Sequence, residues 1–161
     1  MLTIKQLSGL TATALFGLMA GFFATYSFNV NYAMLAVDAS TYAEVQSLFN
    51  INVRHTGFFL CFFGAGALPY FCAVLNIKNK SIFYFWLLLG TLYLTGIILF
   101  TKFVNLPLND YTESWTPSTL PSDWENTRDT WNQANLFRSL LSFILFISAL
   151  VLLIKQDKTN S

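Results

Sequence analysis

Charge is what this sequence has least of. Only 11% of its 161 residues are charged, against roughly 25% in soluble domains. That is too few to coat a soluble globule, so most of the surface is expected to meet lipid. The net charge of +1 gives no support for nucleic-acid binding. Histidine is nearly absent. His55 stands alone, which excludes a bis-histidine haem and the paired Glu-x-x-His motifs of a bundle di-iron site, so no metal site and no cofactor is expected. Cysteine is scarce too. Cys61 and Cys72 lie in one apolar run, about 16 Å apart on a helix, beyond the ~7 Å that a disulfide tolerates. No glycine-rich phosphate loop, no Gly-x-Ser-x-Gly elbow and no internal repeat appears. The missing repeat, with no charge deep inside any apolar run, argues against a carrier or channel.

Long apolar runs and aromatic residues are abundant. Phe occurs 17 times. Four stretches, 10–35, 57–77, 82–101 and 136–154, approach the ~20 apolar residues that cross a bilayer. The fold class expected is therefore all-α: a single-domain integral membrane antiparallel four-helix bundle. Lys5, Lys78, Lys80, Lys155 and Lys158 fall on one side with a single acid, Asp157. Seven acids gather on the other. By the positive-inside rule both termini should be cytoplasmic. Thr41 and Glu44 have capping-box spacing, as do Ser122 and Glu125, so helices are expected to start near Tyr42 and Asp123. Tyr42, Val45, Phe49, Asn52 and Val53 then form an amphipathic stretch running on into the second span. Helices 2 and 4 should thus extend beyond the membrane on the non-cytoplasmic side. Residues 102–122, rich in proline and turn formers, should form an outer loop. Pro69 should kink the second span. A stripe of small residues, Gly9, Thr13, Gly17, Gly21 and Thr25, permits close helix contact, within the chain or in a homodimer.

The polar residues inside these runs are few and collected at one end. Trp131, Asn135 and Arg138 follow i, i+4, i+7 spacing, which puts them within about 60° on a helix. A guanidinium at the mouth of an apolar span is costly without water or partners. Three readings stand for Arg138: snorkelling to phosphates, a buried hydrogen bond to an asparagine, or contact with a substrate. Tyr26, Ser27, Asn29 and Asn31 end the first span, although Asn29 and Asn31, about 200° apart, cannot both face the bundle. Asn50, Asn52, Arg54 and His55 precede the second span. Lys102, Asn105 and Asn109 leave the third. These groups are expected to share one pocket with apolar walls from Phe22, Phe23, Phe28, Phe58, Phe59 and Phe62.

Two short motifs carry a family resemblance. Asn105-Leu106-Pro107-Leu108-Asn109 resembles the "N-x-P-x-N" signature of the anthrone oxygenase-like membrane proteins. Trp131-x3-Asn135-x2-Arg138 is similar to that family's "W-x3-N-x2-R" start of the last helix. The Gly17/Gly21-to-Ser27 region, and Asn50 and Asn52, also fit. The resemblance implies a small four-span membrane protein, mostly of uncharacterised kinds, some of which oxidise an anthrone to an anthraquinone with molecular oxygen and without metal or flavin. On that basis His55 is the candidate base and Arg138 the candidate anion holder. Asn29, Asn105, Asn109, Trp131 and Asn135 are candidate substrate contacts. Partners are then the lipid bilayer and a lipophilic small molecule. The alternative is a non-catalytic membrane subunit or assembly partner, docking a protein or a second copy.

Overall fold

The computed structural model describes residues 2–160, with side chains through residue 156. Asp157 and Lys158, counted in the charge asymmetry, lie beyond the described side chains. Among the described residues the protein is all-helical, without a strand. Helix α1 spans Ile4–Leu35. Thr3 and Gln6 cap it reciprocally, each side chain holding the other's backbone N–H, so two orphan donors are satisfied at once. A wider π-turn interrupts it at Tyr26–Val30.

Helix α2, Ala39–Asn52, starts a turn earlier than expected. Asp38, not Thr41, is the cap. Its carboxylate accepts from the Thr41 N–H at 3.1 Å and from the Thr41 hydroxyl at 2.8 Å. Those bonds hold the Asp38 carboxyl below its ordinary range. An aspartate is the stronger N-cap, and it comes first in the chain.

The expected long second helix is two helices. The chain breaks after α2, His55 becomes extended, and α3 runs Thr56–Leu75. Arg54, inside the break, pairs with Glu113. Helix α3 continues past Pro69.

Helix α4, Lys80–Glu113, is where the sequence reading departs most from the structure. Asn79 caps its start. It passes through two π-turns, Leu94–Leu99 and Thr101–Asn105, and then through Pro107 to Glu113. Residues 102–113, the first part of the outer loop expected at 102–122, are helix. A proline inside an α-helix loses one bond and presses on the carbonyl four residues earlier. Here those preceding residues lie in the wide turn, where the ladder is already opened. The non-helical part of the connection holds one bridge, Thr116 to Thr119. Helix α5, Trp124–Asn160, is unbroken and begins one residue from the expected start.

Four helices, α1, α3, α4 and α5, are long and apolar enough to cross a membrane. Helix α1 packs on α5 and α3, and α3 packs on α4. A Cβ added at Gly9 would meet Leu153, and one at Gly17 would meet Phe146 at 2.8 Å. Ser27 meets Ser139. Numbers rise along α1 as they fall along α5. The upper small residues behave differently, since a Cβ at Gly21 would meet nothing within 4 Å. The core between the helices is aromatic: Phe16, Phe23, Phe62, Trp86 and Tyr93, with Met19, Ile97 and Leu145. Outside it, large apolar side chains such as Leu60, Val74, Tyr84, Phe103 and Phe143 are exposed. Soluble proteins avoid so continuous an apolar surface.

Candidate functional site

The buried face of α5 sets the site. Trp131, Asn135, Arg138 and Ser142 are buried in sequence along it, and Leu145, Ala149 and Leu152 continue the same stripe. The spacing is that of one helix face. The upper half is polar and the lower half apolar.

Arg138 is buried, 7% exposed, and among the described residues no carboxylate pairs with it. Neutral groups hold it instead. Its Nη2 donates to Asn135 Oδ1 at 2.8 Å, and its Nη1 donates to Thr101 Oγ1 at 3.3 Å. The guanidinium lies 4.6 Å from the centre of the Phe23 ring, within cation–π range. Of the three readings of Arg138, the hydrogen bond to an asparagine is therefore present, and the asparagine is on its own helix. Asn135 is the hinge of the cluster. Its amide nitrogen donates to the Phe23 carbonyl at 3.1 Å and to Ser27 Oγ at 2.9 Å. Ser27 meets Ser139 at 2.9 Å, and Ser139 donates to the Asn135 carbonyl. Helices α1, α4 and α5 are tied together at this point.

A second chain of bonds closes the end of the helices where α2 packs. The Trp131 indole donates to Asn109 Oδ1 at 2.7 Å, and its ring centre lies 4.6 Å from that of Tyr26. Tyr26 donates to Gln46 at 2.7 Å, Gln46 to Asn50 at 3.1 Å, and Asn50 to Thr112 at 3.0 Å. Thr112 donates back to the Asn109 carbonyl. This circuit links α1, α2, α4 and α5.

Between the two networks is a cavity of about 710 Å³, within the ~300–1,000 Å³ usual for small-molecule sites. Its walls include Phe22, Phe23, Phe58, Phe59 and Phe62, five of the six phenylalanines expected there; Phe28 is not among them. Arg138 and Asn135 reach it at one end, and Arg54, His55 and Lys102 also line it. Among the described residues no aspartate or glutamate does.

The structure brings His55, Arg138, Asn109, Trp131 and Asn135 to this cavity. It does not bring Asn29, which is exposed away from it. Asn105 is fully buried but does not line the cavity. Both asparagines lie in π-turns. Each such turn holds one residue more than an α-turn, so it rotates the following face by roughly 100° from a uniform helix.

His55 has a structural duty. Its Nδ1 accepts the Phe58 N–H at 3.3 Å, capping α3. The neutral ring then carries its proton on Nε2. Proton acceptance at Nδ1 therefore requires release of this long cap bond.

Gln46, Thr101, Thr112 and Ser139 were missed as site residues. Gln46 carried a signal, since Tyr42, Gln46 and Asn50 stand at i, i+4 and i+8 and are the buried face of α2. Of the expected amphipathic stretch, Tyr42 is buried and Val45 and Val53 are half-buried, while Phe49 and Asn52 are exposed and line the cavity; Leu48 and Ile51 are exposed without lining it.

The sequence profile described as anthrone oxygenase matches residues 46–148, more than half of the chain. The match takes in both short motifs and all of the cavity wall except the α1 side. No curated protein and no solved structure matches the chain.

Proposed function

The chain belongs to the anthrone oxygenase family, and from that premise we propose a multi-pass membrane enzyme that oxidises a lipophilic aromatic compound without a cofactor. Helices α1, α3, α4 and α5 form an antiparallel bundle across the bilayer. The cavity lies toward its non-cytoplasmic end, and both termini are cytoplasmic, as the lysine distribution favours. One observation carries the reading. A guanidinium sits at the end of an aromatic cavity with only neutral partners, so its charge is uncompensated until an anion arrives.

The chemistry needs little else. A methylene between two aromatic rings, conjugated through them to a carbonyl, loses one of its two protons to a base and leaves an enolate. Arg138 stabilises the enolate oxygen as charge develops there. The electron-rich carbon gives electrons to O2, a C–O bond forms, and the hydroperoxide then loses water to leave a ketone. The proton acceptor assigned is His55, once its cap bond is released. Trp131 and the cavity phenylalanines stack on the rings.

The test is anthrone oxidation under O2 by the protein in phosphatidylcholine vesicles. Turnover should exceed that of empty vesicles, and Arg138→Gln should lower kcat/KM by about 10²-fold or more. Wild-type protein no faster than empty vesicles, or full activity in Arg138→Gln, would reject the reading. The second reading, a non-catalytic assembly partner, draws on the exposed Leu48, Phe49 and Ile51 of α2. A defined complex isolated with an inactive protein would favour it.

A further inference from the structure

The contact between α3 and α4 is closed at one level and open at another. Residues 59, 63, 66 and 70 form a single row on α3 at i, i+4, i+7 and i+11 spacing. The lower part of that row is packed. A Cβ at Gly66 would lie 2.6 Å from Ile98, and one at Gly90 would lie 3.1 Å from the Tyr70 ring. The Tyr70 hydroxyl reaches Thr91 at 3.5 Å. The upper part of the row is open. Phe59 is 41% exposed and Phe63 52%, and both line the cavity. Opposite them, Lys102 and Leu106 of α4 are also exposed and also line it. A cavity wall made of exposed side chains from two facing helices is a gap. It runs from Ile98 to Leu106, about 12 Å along the axis.

The gap's apolar members lie within segments apolar enough to sit in hydrocarbon. A continuous set of rings leads inward from it: Phe59 to Phe58 at 5.8 Å, Phe58 to Phe22 at 5.2 Å, and Phe22 to Phe23 at 5.8 Å between centres. Arg138 lies over the last of these. Among the described residues the ionisable groups lining the cavity, tyrosine aside, are Arg54, His55, Lys102 and Arg138, without an acid. An apolar path that ends on a cation selects a molecule with an apolar body and one oxyanion.

We propose that the cavity is filled from the bilayer, through the gap between α3 and α4, by a membrane-dissolved amphiphile whose head is a carboxylate, phenolate or enolate. This rests on the same cavity as the catalytic reading but not on any turnover. The hydrocarbon part passes between Phe59 and Phe63 on one side and Ile98 and Leu106 on the other. The head, drawn past Lys102, stops at Arg138.

The experiment uses the full chain in phosphatidylcholine vesicles preloaded with anthracene-9-carboxylate, with energy transfer from Trp131 as the readout and Trp131→Phe as the blank. In a Cys61→Ala, Cys72→Ala background, one variant joins Phe63→Cys to Leu106→Cys with a disulfide-containing bismaleimide. A second joins Arg54→Cys to Glu113→Cys at the water end. Bridging the gap should slow association at least about tenfold, and reduction of the linker should restore the rate. Bridging the water end should not. The methyl ester should bind about tenfold more weakly than the acid, and Arg138→Gln should abolish that preference. Slowing only by the water-end bridge, equal affinity for acid and ester, or no transfer to vesicle-borne probe would each overturn the proposal. Binding with normal access but no anthrone oxidation would instead sink the catalytic reading alone.

Discussion

Replacing Asn135 by leucine should damage this protein more than removing the charge that Asn135 holds. The side chain makes three buried bonds: to the Phe23 carbonyl, to Ser27, and from Arg138. The first two are neutral and contribute roughly 0.5–1.5 kcal/mol each, and the charge-assisted one about 1.5–3. Polar bonds between membrane helices run weaker, nearer ~0.6 kcal/mol on average, because the unfolded chain in detergent finds other partners. The loss should therefore be about 3 kcal/mol. Most of it comes from leaving a guanidinium with Thr101 as its sole side-chain hydrogen-bond partner among the described residues. Arg138→Met removes that charge and leaves Asn135 Oδ1 and Thr101 Oγ1 without this donor, at a cost of about 1–2 kcal/mol. The double variant should then be more stable than the sum of the singles predicts, by roughly 1–2 kcal/mol. Equilibrium unfolding in mixed dodecylmaltoside–SDS micelles gives all four stabilities. Additivity within about 0.5 kcal/mol would show that Asn135 does not hold Arg138, and the uncompensated-cation argument would fall with it.

Other outcomes follow from single contacts. Gly17→Ala, whose Cβ would lie 2.8 Å from Phe146, should cost about 1–3 kcal/mol in the same unfolding assay, whereas Gly21→Ala, facing open space, should be neutral or stabilising by up to about 1 kcal/mol. Gln46→Leu strands the Tyr26 hydroxyl and Asn50 Oδ1 and should cost about 1–3 kcal/mol; a wild-type midpoint would show that the second circuit is not a structural tie. His55→Asn should keep the α3 cap while His55→Ala loses about 1 kcal/mol; undiminished anthrone oxidation by His55→Asn would remove His55 as the proton acceptor.

Much of this was legible because membrane helices follow simple constraints. The apolar runs marked four helices long and apolar enough to cross a membrane, and Trp131, Asn135 and Arg138 marked the polar face of the last one. Two physical effects hid the rest. Pro107, Asn105 and Asn109 read as loop formers because turn propensities describe chains in water. Within apolar surroundings an unpaired backbone is costlier, so helix persists through proline. On α2 the burial pattern is inverted. Gln46 and Asn50 are inside, while Leu48 and Ile51 are out. A periodicity read from the apolar residues alone picks the wrong face when the polar side chains find each other inside.

The three π-turns bear on why the site sits where it does. They occur at Tyr26–Val30, Leu94–Leu99 and Thr101–Asn105. Tyr26 and Val30 of the first, Ile98 of the second, and Thr101 and Lys102 of the third all line the cavity. A uniform α-helix offers one residue per turn to a given face. An inserted residue lets neighbouring positions share it. Tyr26 can then reach Gln46 while Ser27, next in sequence, reaches Asn135 and Ser139. On α4, Thr101 meets Arg138 while Lys102 lines the same cavity. Such turns sacrifice ladder geometry and persist where something else holds the helix. Here the two hydrogen-bonded networks do that. Relaxing the first or the third of these π-turns to regular helix would rotate one member of its adjacent pair off the site, so the irregularity is a condition of the site.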